Sequence, residues 1–160
     1  MKAFPLVLIP CVLIIACSKS RVPIEGSVSS VMDSVITRLY ATVPAQGYGS
    51  IDDAYMLNFL MPAEKEILSK RYQYFNVNVP VTVSLMRDRE QKNIPFWLEP
   101  SGFRKTEMMV KNEEYTYEVW QKDFDAGRVE LGINGFDKHR PVYFVAVAPK
   151  DPSVQLSVTD

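Results

Sequence analysis

Apolar and polar residues alternate strictly in one stretch near the middle of the chain. Every second residue from Phe75 to Leu85 is apolar, and asparagine, proline, threonine and serine fill the positions between them. A period of two places alternate side chains on one face of a β-strand, so this stretch predicts a strand with a buried face. Pro80 lies within it and has no N–H to donate, so we expect it at a sheet edge or at a bulge.

A helical spacing precedes this stretch. Val31, Val35, Leu39 and Val43 recur every four residues, which places them on one face of a helix. The alternation of Val35, Thr37 and Leu39 also allows a strand. We prefer the helix because the four-residue spacing covers the whole segment.

Further short helices are expected before residue 72. Ser50, Asp52 or Asp53 is a candidate N-cap, since a side-chain oxygen at that position accepts a hydrogen bond from the first turn. Pro62 suits the first turn of the next helix, where its missing N–H costs nothing. Residues 31–71 are therefore predicted to hold two or three short helices.

Short strands separated by turn residues fill the rest of the chain. Gly127 and Gly135 stand in two of the intervening turns. Residues 72–160 are predicted to form an immunoglobulin-like antiparallel β-sandwich, so that the protein as a whole is mainly β. The additional strands are expected near Thr106–Val110, Tyr115–Gln121, Arg128–Ile133, Val142–Ala148 and Val154–Val158.

The N-terminus is typical of an export signal. Lys2 precedes an apolar run that ends in Ala16 and Cys17, and a run this short, broken by two prolines, does not suit a membrane span. The pattern resembles a bacterial lipoprotein signal, with residues 1–16 removed and Cys17 acylated. A plain secretory signal is the alternative, and it would leave Cys17 as an exported free thiol.

The lipoprotein interpretation predicts location. Residues 17–30 would form a lipidated tether, and multiple acyl chains would hold the domain on a bilayer. The expected location is the bacterial cell envelope, and Ser18 after the cysteine favours the outer membrane, facing the periplasm or the cell surface. The membrane would then be a partner through the N-terminal lipid.

Charge excludes one class of partner. Without the signal, the chain keeps seventeen basic and nineteen acidic residues, a formal charge of −2. A near-neutral balance gives no electrostatic basis for binding nucleic acid.

Several segments resemble a known kind of domain. Together they are similar to the non-catalytic N-terminal region that precedes calcineurin-like metallophosphoesterase domains, purple acid phosphatases among them, in bacterial exported proteins. The similarity covers about residues 50–150 and rests on the residue sequence of the strand segments, not on a catalytic motif. The segments are Val79–Arg87, Ile94–Leu98, Tyr117–Lys122, Gly127–Gly135 and His139–Val145.

The enzyme's own motifs do not accompany this resemblance. Metallophosphoesterases use two metal ions, held by Asp, His and Asn in D-x-H and G-N-H-[DE] motifs, to activate water and hold the phosphate. The chain has one histidine, His139, and neither motif. The resemblance therefore implies a non-catalytic accessory or interaction module without a cofactor, associated with a metallophosphoesterase. It would be either a stand-alone relative or a piece of a larger protein.

Other candidate sites have simpler explanations. A lone His139 in a polar loop is a poor metal ligand, because imidazole sites recruit further ligands. Asp52 and Asp53 form a paired carboxylate, but helix capping accounts for them. An unrecognised enzyme would need these three residues together in one pocket.

Aromatic residues support the alternative function, a surface carbohydrate-binding module. Trp97, Trp120, Tyr115 and Tyr117 are candidate ligand or partner contacts, since aromatic faces stack on sugars. Such a module needs at least one exposed tryptophan. A buried, core-forming role for the tryptophans is the preferred interpretation.

Basic residues are grouped in three short segments. Arg87, Arg89 and Lys92 form one group, Arg104 and Lys105 a second, and Lys138 and Arg140 a third. We expect solvated loops at these places. The groups, and Arg140 in particular, are also candidate contacts for a partner domain or an anionic envelope glycan.

Overall fold

The computed structural model describes residues 26–137 and 142–160. They form a mixed α/β structure in which N-terminal helices precede two antiparallel sheets. The expectation of a mainly β protein is corrected, because the helical region is a substantial folded part with its own buried cluster.

The helices lie where the sequence predicted them. Helix α1 spans Val28–Thr42, α2 spans Asp53–Phe59 and α3 spans Pro62–Lys70, with a 3-10 helix at Ala45–Ser50. Asp52 is confirmed as the N-cap of α2, since its carboxylate accepts the Tyr55 N–H at 2.8 Å. Pro62 is confirmed at the start of α3.

Helix α1 starts earlier than expected. Ser27 is its N-cap and exchanges hydrogen bonds with Ser30, and the Gly26 carbonyl accepts a hydrogen bond from Arg71 at 2.8 Å. Residues 26–30 therefore belong to the folded part rather than to the tether.

Seven strands form two sheets. The three-stranded sheet has the order β5-β1-β7 and the four-stranded sheet the order β3-β4-β2-β6, and every pair of these strands is antiparallel. The strands are β1 Gln73–Val77, β2 Val81–Asp88, β3 Arg104–Lys111, β4 Thr116–Phe124, β5 Gly127–Leu131, β6 Phe144–Pro149 and β7 Val158–Thr159.

The alternating stretch around Pro80 forms two strands instead of one. Its first part is β1 in the three-stranded sheet, and its second part is β2 in the four-stranded sheet. Pro80 lies in the connection, so its position at an edge or bulge was predicted wrongly. The alternation continues across the break because both strands point side chains into the same buried cluster.

The last predicted strand is also mostly wrong. Val154 lies in a turn, and β7 is a two-residue strand that pairs with β1. Asn78 fixes this segment, since its side chain donates to the Gln155 carbonyl and accepts the Ser157 N–H.

Two buried clusters hold the described residues together. The larger cluster takes side chains from both sheets, including Phe75 and Val129 from one and Val83 and Leu85 from the other. This arrangement establishes two antiparallel sheets around shared apolar side chains, while the immunoglobulin-like type stays a prediction.

The smaller cluster joins the helices to the sheets. Val35 of α1 and Leu68 of α3 are fully buried in it, and Ile133 reaches it from beyond β5. The Ile133 N–H donates to the Leu68 carbonyl at 2.9 Å, which ties the two regions together. None of the helices in the described ranges is both long and apolar enough to cross a bilayer.

Candidate functional site

Both tryptophans that the sequence offered for sugar stacking are buried. Trp97 is 3 % exposed, and its indole N–H donates to the Ile133 carbonyl at 2.7 Å. A side-chain carbon on Gly132 would lie 2.5 Å from the indole nitrogen, so this contact requires glycine. Trp120 is equally buried and donates to Glu118 at 2.9 Å. The exposed tryptophan that a carbohydrate platform needs is therefore missing at both positions.

Tyr117 lies on the face of β4 opposite Trp120, and Tyr115 lies just before the strand. Tyr117 is buried, and its ring packs edge-on against Phe144 of β6, with a centroid separation of 5.2 Å. Tyr115 is half-buried beside Tyr117. The structure thus separates the tyrosines from both tryptophans and assembles no common platform from the four residues.

Three other candidates fall outside the described residues, namely Cys17, His139 and Arg140. Asp52 and Asp53, which the sequence offered together with His139 as a candidate enzyme site, have separate environments. Asp52 caps α2, whereas Asp53 lines a small cavity of about 330 Å³ with Gly135 and Phe136. Burial, followed by the nearby Asp137, raises the pKa of Asp53.

Two of the basic segments meet at one cleft of about 850 Å³, which we call the Arg87 cleft. Trp120 forms part of its wall. The cleft has five basic and three acidic lining residues: Arg87, Arg89, Lys92, Arg104, Lys105, Glu90, Glu99 and Glu118.

A buried charge network forms the floor of the Arg87 cleft. Arg87 donates to Glu118 at 2.6 Å, and both side chains are less than 10 % exposed. Lys105 and Trp120 also donate to Glu118. Burial alone would raise the pKa of Glu118, but the hydrogen bonds from Lys105, Trp120 and Arg87 outweigh it and hold the pKa below its ordinary value.

Arg87 also organises the loop beside the cleft. Its second guanidinium nitrogen donates to the carbonyls of Gln91 at 2.6 Å and Asn93 at 2.9 Å. Asp88 accepts the Glu90 N–H, which fixes the start of the same loop. Arg87 therefore fixes the loop that carries Arg89 and Lys92, which line the same cleft as Lys105 of β3.

The sequence shows both basic segments but does not show that they converge on one cleft. Arg104 pairs with Gln121, and Lys105 pairs with Trp120, across the β3–β4 register. Because Arg87 pairs with Glu118 across β2 and β4, and Lys105 donates to the same carboxylate, the two segments meet at Glu118. Glu118 was missed, although its position on the same strand face as Trp120 could have marked it as inward-facing.

A second cleft, of about 880 Å³, lies between α3, β4 and β5, and we call it the Lys122 cleft. Phe96, Trp97 and Phe124 supply apolar walls. Five basic and two acidic residues line it: Lys65, Lys70, Arg71, Lys122, Arg128, Glu66 and Glu130.

Lys122 lies on the core-facing side of β4, opposite Val83. Its ammonium nitrogen is 4.3 Å from the centroid of the Phe124 ring and 6.0 Å from that of Phe103. Burial lowers the pKa of Lys122. In the described part of the chain it has neither an ion pair nor a hydrogen bond to its ammonium group.

Metal ligands are not grouped in the described structure. Within residues 26–137 and 142–160, no set of three or more His, Cys, Asp and Glu side chains is placed to hold a metal ion.

The chain matches no protein-family model, no curated protein and no solved structure. Its function is therefore argued from the geometry of the two clefts, together with the sequence pattern at the N-terminus.

Proposed function

We propose that this chain is a non-catalytic binding module, held at a bacterial cell envelope by a lipid on Cys17, that recognises an anionic partner surface through the Arg87 cleft. The observation that carries the binding proposal is the convergence of two basic segments, distant in sequence, on one cleft. We take the two sheets to be an immunoglobulin-like sandwich, since side chains from both fill one buried cluster.

The division of labour among the cations supports this function. Arg87 and Lys105 both form ion pairs with Glu118, so they stabilise the floor of the cleft. Arg89 and Lys92 are exposed on the loop that Arg87 holds in place. Preorganised cations at a cleft rim favour carboxylate, sulfate or phosphate groups on a partner, because little ordering entropy is lost on binding.

The partner belongs to the proposal as well. The sequence resemblance supports association with a metallophosphoesterase, for which this domain would be an accessory. The alternative, a carbohydrate-binding module with exposed tryptophans, loses its support because Trp97 and Trp120 are buried. An anionic envelope glycan stays within the proposal as a ligand of the basic rim.

The anchor is tested separately from the cleft. We expect the full-length chain expressed in bacteria to appear in the membrane fraction, with an acylated Cys17 at its N-terminus by mass spectrometry. The Cys17→Ser chain should lose the lipid. An unprocessed, unlipidated N-terminus would contradict the anchor.

Binding is tested with two defined polyanions, heparin and poly-L-glutamate. We expect the chain to bind at least one of them with an affinity that falls as salt rises, because the interaction is electrostatic. The double variant Arg89→Glu, Lys92→Glu should lose this binding, and Lys111→Glu, an exposed charge reversal away from the cleft, should keep it. Equal binding by all three proteins would overturn the role of the cleft.

A further inference from the structure

We propose that the Lys122 cleft is a second binding site, one that takes a small organic anion with an apolar body. Lys122 would meet the anionic group, and Phe96 and Phe124 would contact the apolar part. The site is separate from the Arg87 cleft and does not depend on the function proposed for it. Its volume of about 880 Å³ lies in the range of small-molecule sites in proteins.

Sheet protection could account for Lys122 only on the β3 side of its strand. Inward-pointing lysines guard the edges of sheets against pairing with other chains. At Lys122, strand β4 pairs with Val83 of β2, whereas its pairing with β3 ends one residue earlier, at Gln121. Opposite Lys122 stands Val83, which is fully buried, and an apolar residue would satisfy this position better.

The lysine also differs from two buried carboxylates in the described part of the chain. Glu118 and Glu64 each have an arginine partner at hydrogen-bond distance. Lys122 has two aromatic rings instead, and its aliphatic stem passes within contact distance of Gly102. Aromatic rings offset part of the cost of desolvating an ammonium group. Its three N–H donors still need acceptors, which water or a ligand can supply.

The charges around Lys122 leave an excess of positive potential. Of the two acids that line the cleft, Glu66 pairs with Lys70 at 2.9 Å and Glu130 pairs with Arg128 at 3.2 Å. Neither is paired with Lys122. An anion entering the cleft would therefore meet an ammonium group in a partly dehydrated setting, where charge interactions are stronger than in bulk water.

The test uses naphthalene-1-sulfonate as the amphiphilic anion, 1-naphthol as its neutral match and sulfate as its charge alone. Each cleft has one tryptophan in its lining, Trp97 here and Trp120 in the Arg87 cleft, and the chain contains no others. Their indole N–H resonances therefore report on the two sites separately. We expect naphthalene-1-sulfonate to shift the Trp97 signal of the full-length chain, and 1-naphthol and sulfate to bind more weakly.

Variants decide whether Lys122 is responsible. Lys122→Met should weaken naphthalene-1-sulfonate binding by about tenfold, the loss of one hydrogen bond to a charged group. Lys122→Arg should retain binding within a few-fold, and Lys111→Met, which changes an exposed lysine outside both clefts, should leave it unchanged. Thermal melts of each variant beside the parent chain check that the variant is folded. All titrations use the same detergent at the same concentration, so that partition of the probe into detergent is equal for every protein.

Two results would overturn the proposal. One is equal affinity of the parent chain and Lys122→Met for naphthalene-1-sulfonate. The other is a shift at Trp120 without one at Trp97. Failure of heparin and poly-L-glutamate to bind the Arg87 cleft would leave this site unaffected, so the two proposals fail independently.

Discussion

The two large clefts each place a charged residue of strand β4 on its core-facing side, two positions on either side of Trp120. Glu118, in the Arg87 cleft, is surrounded by donors from Arg87, Lys105 and Trp120. Lys122, in the other cleft, faces two aromatic rings. The difference separates a charge that the fold uses internally from one that it leaves available to a ligand.

The largest expected effect comes from breaking the internal charge pair. Arg87→Met should lower the free energy of unfolding by about 3–5 kcal/mol, because Glu118 stays buried without its arginine and the carbonyls of Gln91 and Asn93 lose their donor. Urea unfolding measures this loss. Arg89→Met, an exposed arginine of the same cleft, should change stability by less than about 0.5 kcal/mol. A small effect at Arg87 would mean that the network is not structural.

A second internal pair extends the comparison to the helices. Arg38 of α1 donates through both terminal nitrogens to Glu64 of α3, each at 2.8 Å, and Glu64 also accepts the Met61 N–H. Glu64→Gln should cost about 1–3 kcal/mol in urea unfolding, since a charged hydrogen-bond acceptor is lost. The matched change Glu66→Gln breaks an exposed pair and should cost less than about 1 kcal/mol. Equal losses would show that burial of the pair is unimportant.

A smaller effect is expected at the unpaired lysine. Lys122→Met removes a cation–aromatic contact but also relieves the desolvation of the ammonium group, so the free energy of unfolding should change by less than about 1 kcal/mol. Urea unfolding beside Arg87→Met makes the comparison direct. A loss as large as that of Arg87→Met would indicate that Lys122 is a structural residue.

The smallest effects are in the pH dependence, where each cleft should make stability rise with pH, the Arg87 cleft in the acid range and the Lys122 cleft in the alkaline range. The lowered pKa of Glu118 stabilises the fold above the unfolded value of about 4.3, and this contribution is lost as pH falls through the folded pKa. Because the pKa of Lys122 is lowered in the folded chain, the unfolded chain keeps the proton on this lysine up to a higher pH. Stability should therefore rise with pH between the folded pKa and the unfolded value of about 10.4.

Unfolding curves across both pH ranges check these signs. Compared with the parent chain, Glu118→Gln should flatten the acid limb, and Lys122→Met should flatten the alkaline limb. Parallel curves for parent and variant in either range would contradict the assignment for that cleft.

Local patterns in the sequence predicted the elements well. Asp52 and Pro62 marked the starts of two helices because capping depends on a few neighbouring residues. Strands β3 to β6 also lie near their expected positions. The alternation from Phe75 to Leu85 predicted which side chains are buried but missed the change of sheet. A period of two shows which face of a strand is buried, but it does not show to which sheet the strand belongs.

The clefts were less accessible to sequence reasoning. Arg87 and Glu118 are thirty-one residues apart, and their contact depends on the register of β2 against β4. A charged residue two positions from an inward-facing tryptophan, as Glu118 and Lys122 each stand beside Trp120, is the local signal that was available. Its meaning depended on which face of β4 turned inward.

The central position of β2 has a consequence for how the protein is made. Its side chains Val81, Val83 and Leu85 are completely buried, yet the two strands that pair with it, β4 and β6, come later in the chain. A polypeptide leaving the ribosome therefore carries an uncovered apolar strand until its C-terminal part has been synthesised. During that interval it is open to chaperones and at its most vulnerable to aggregation.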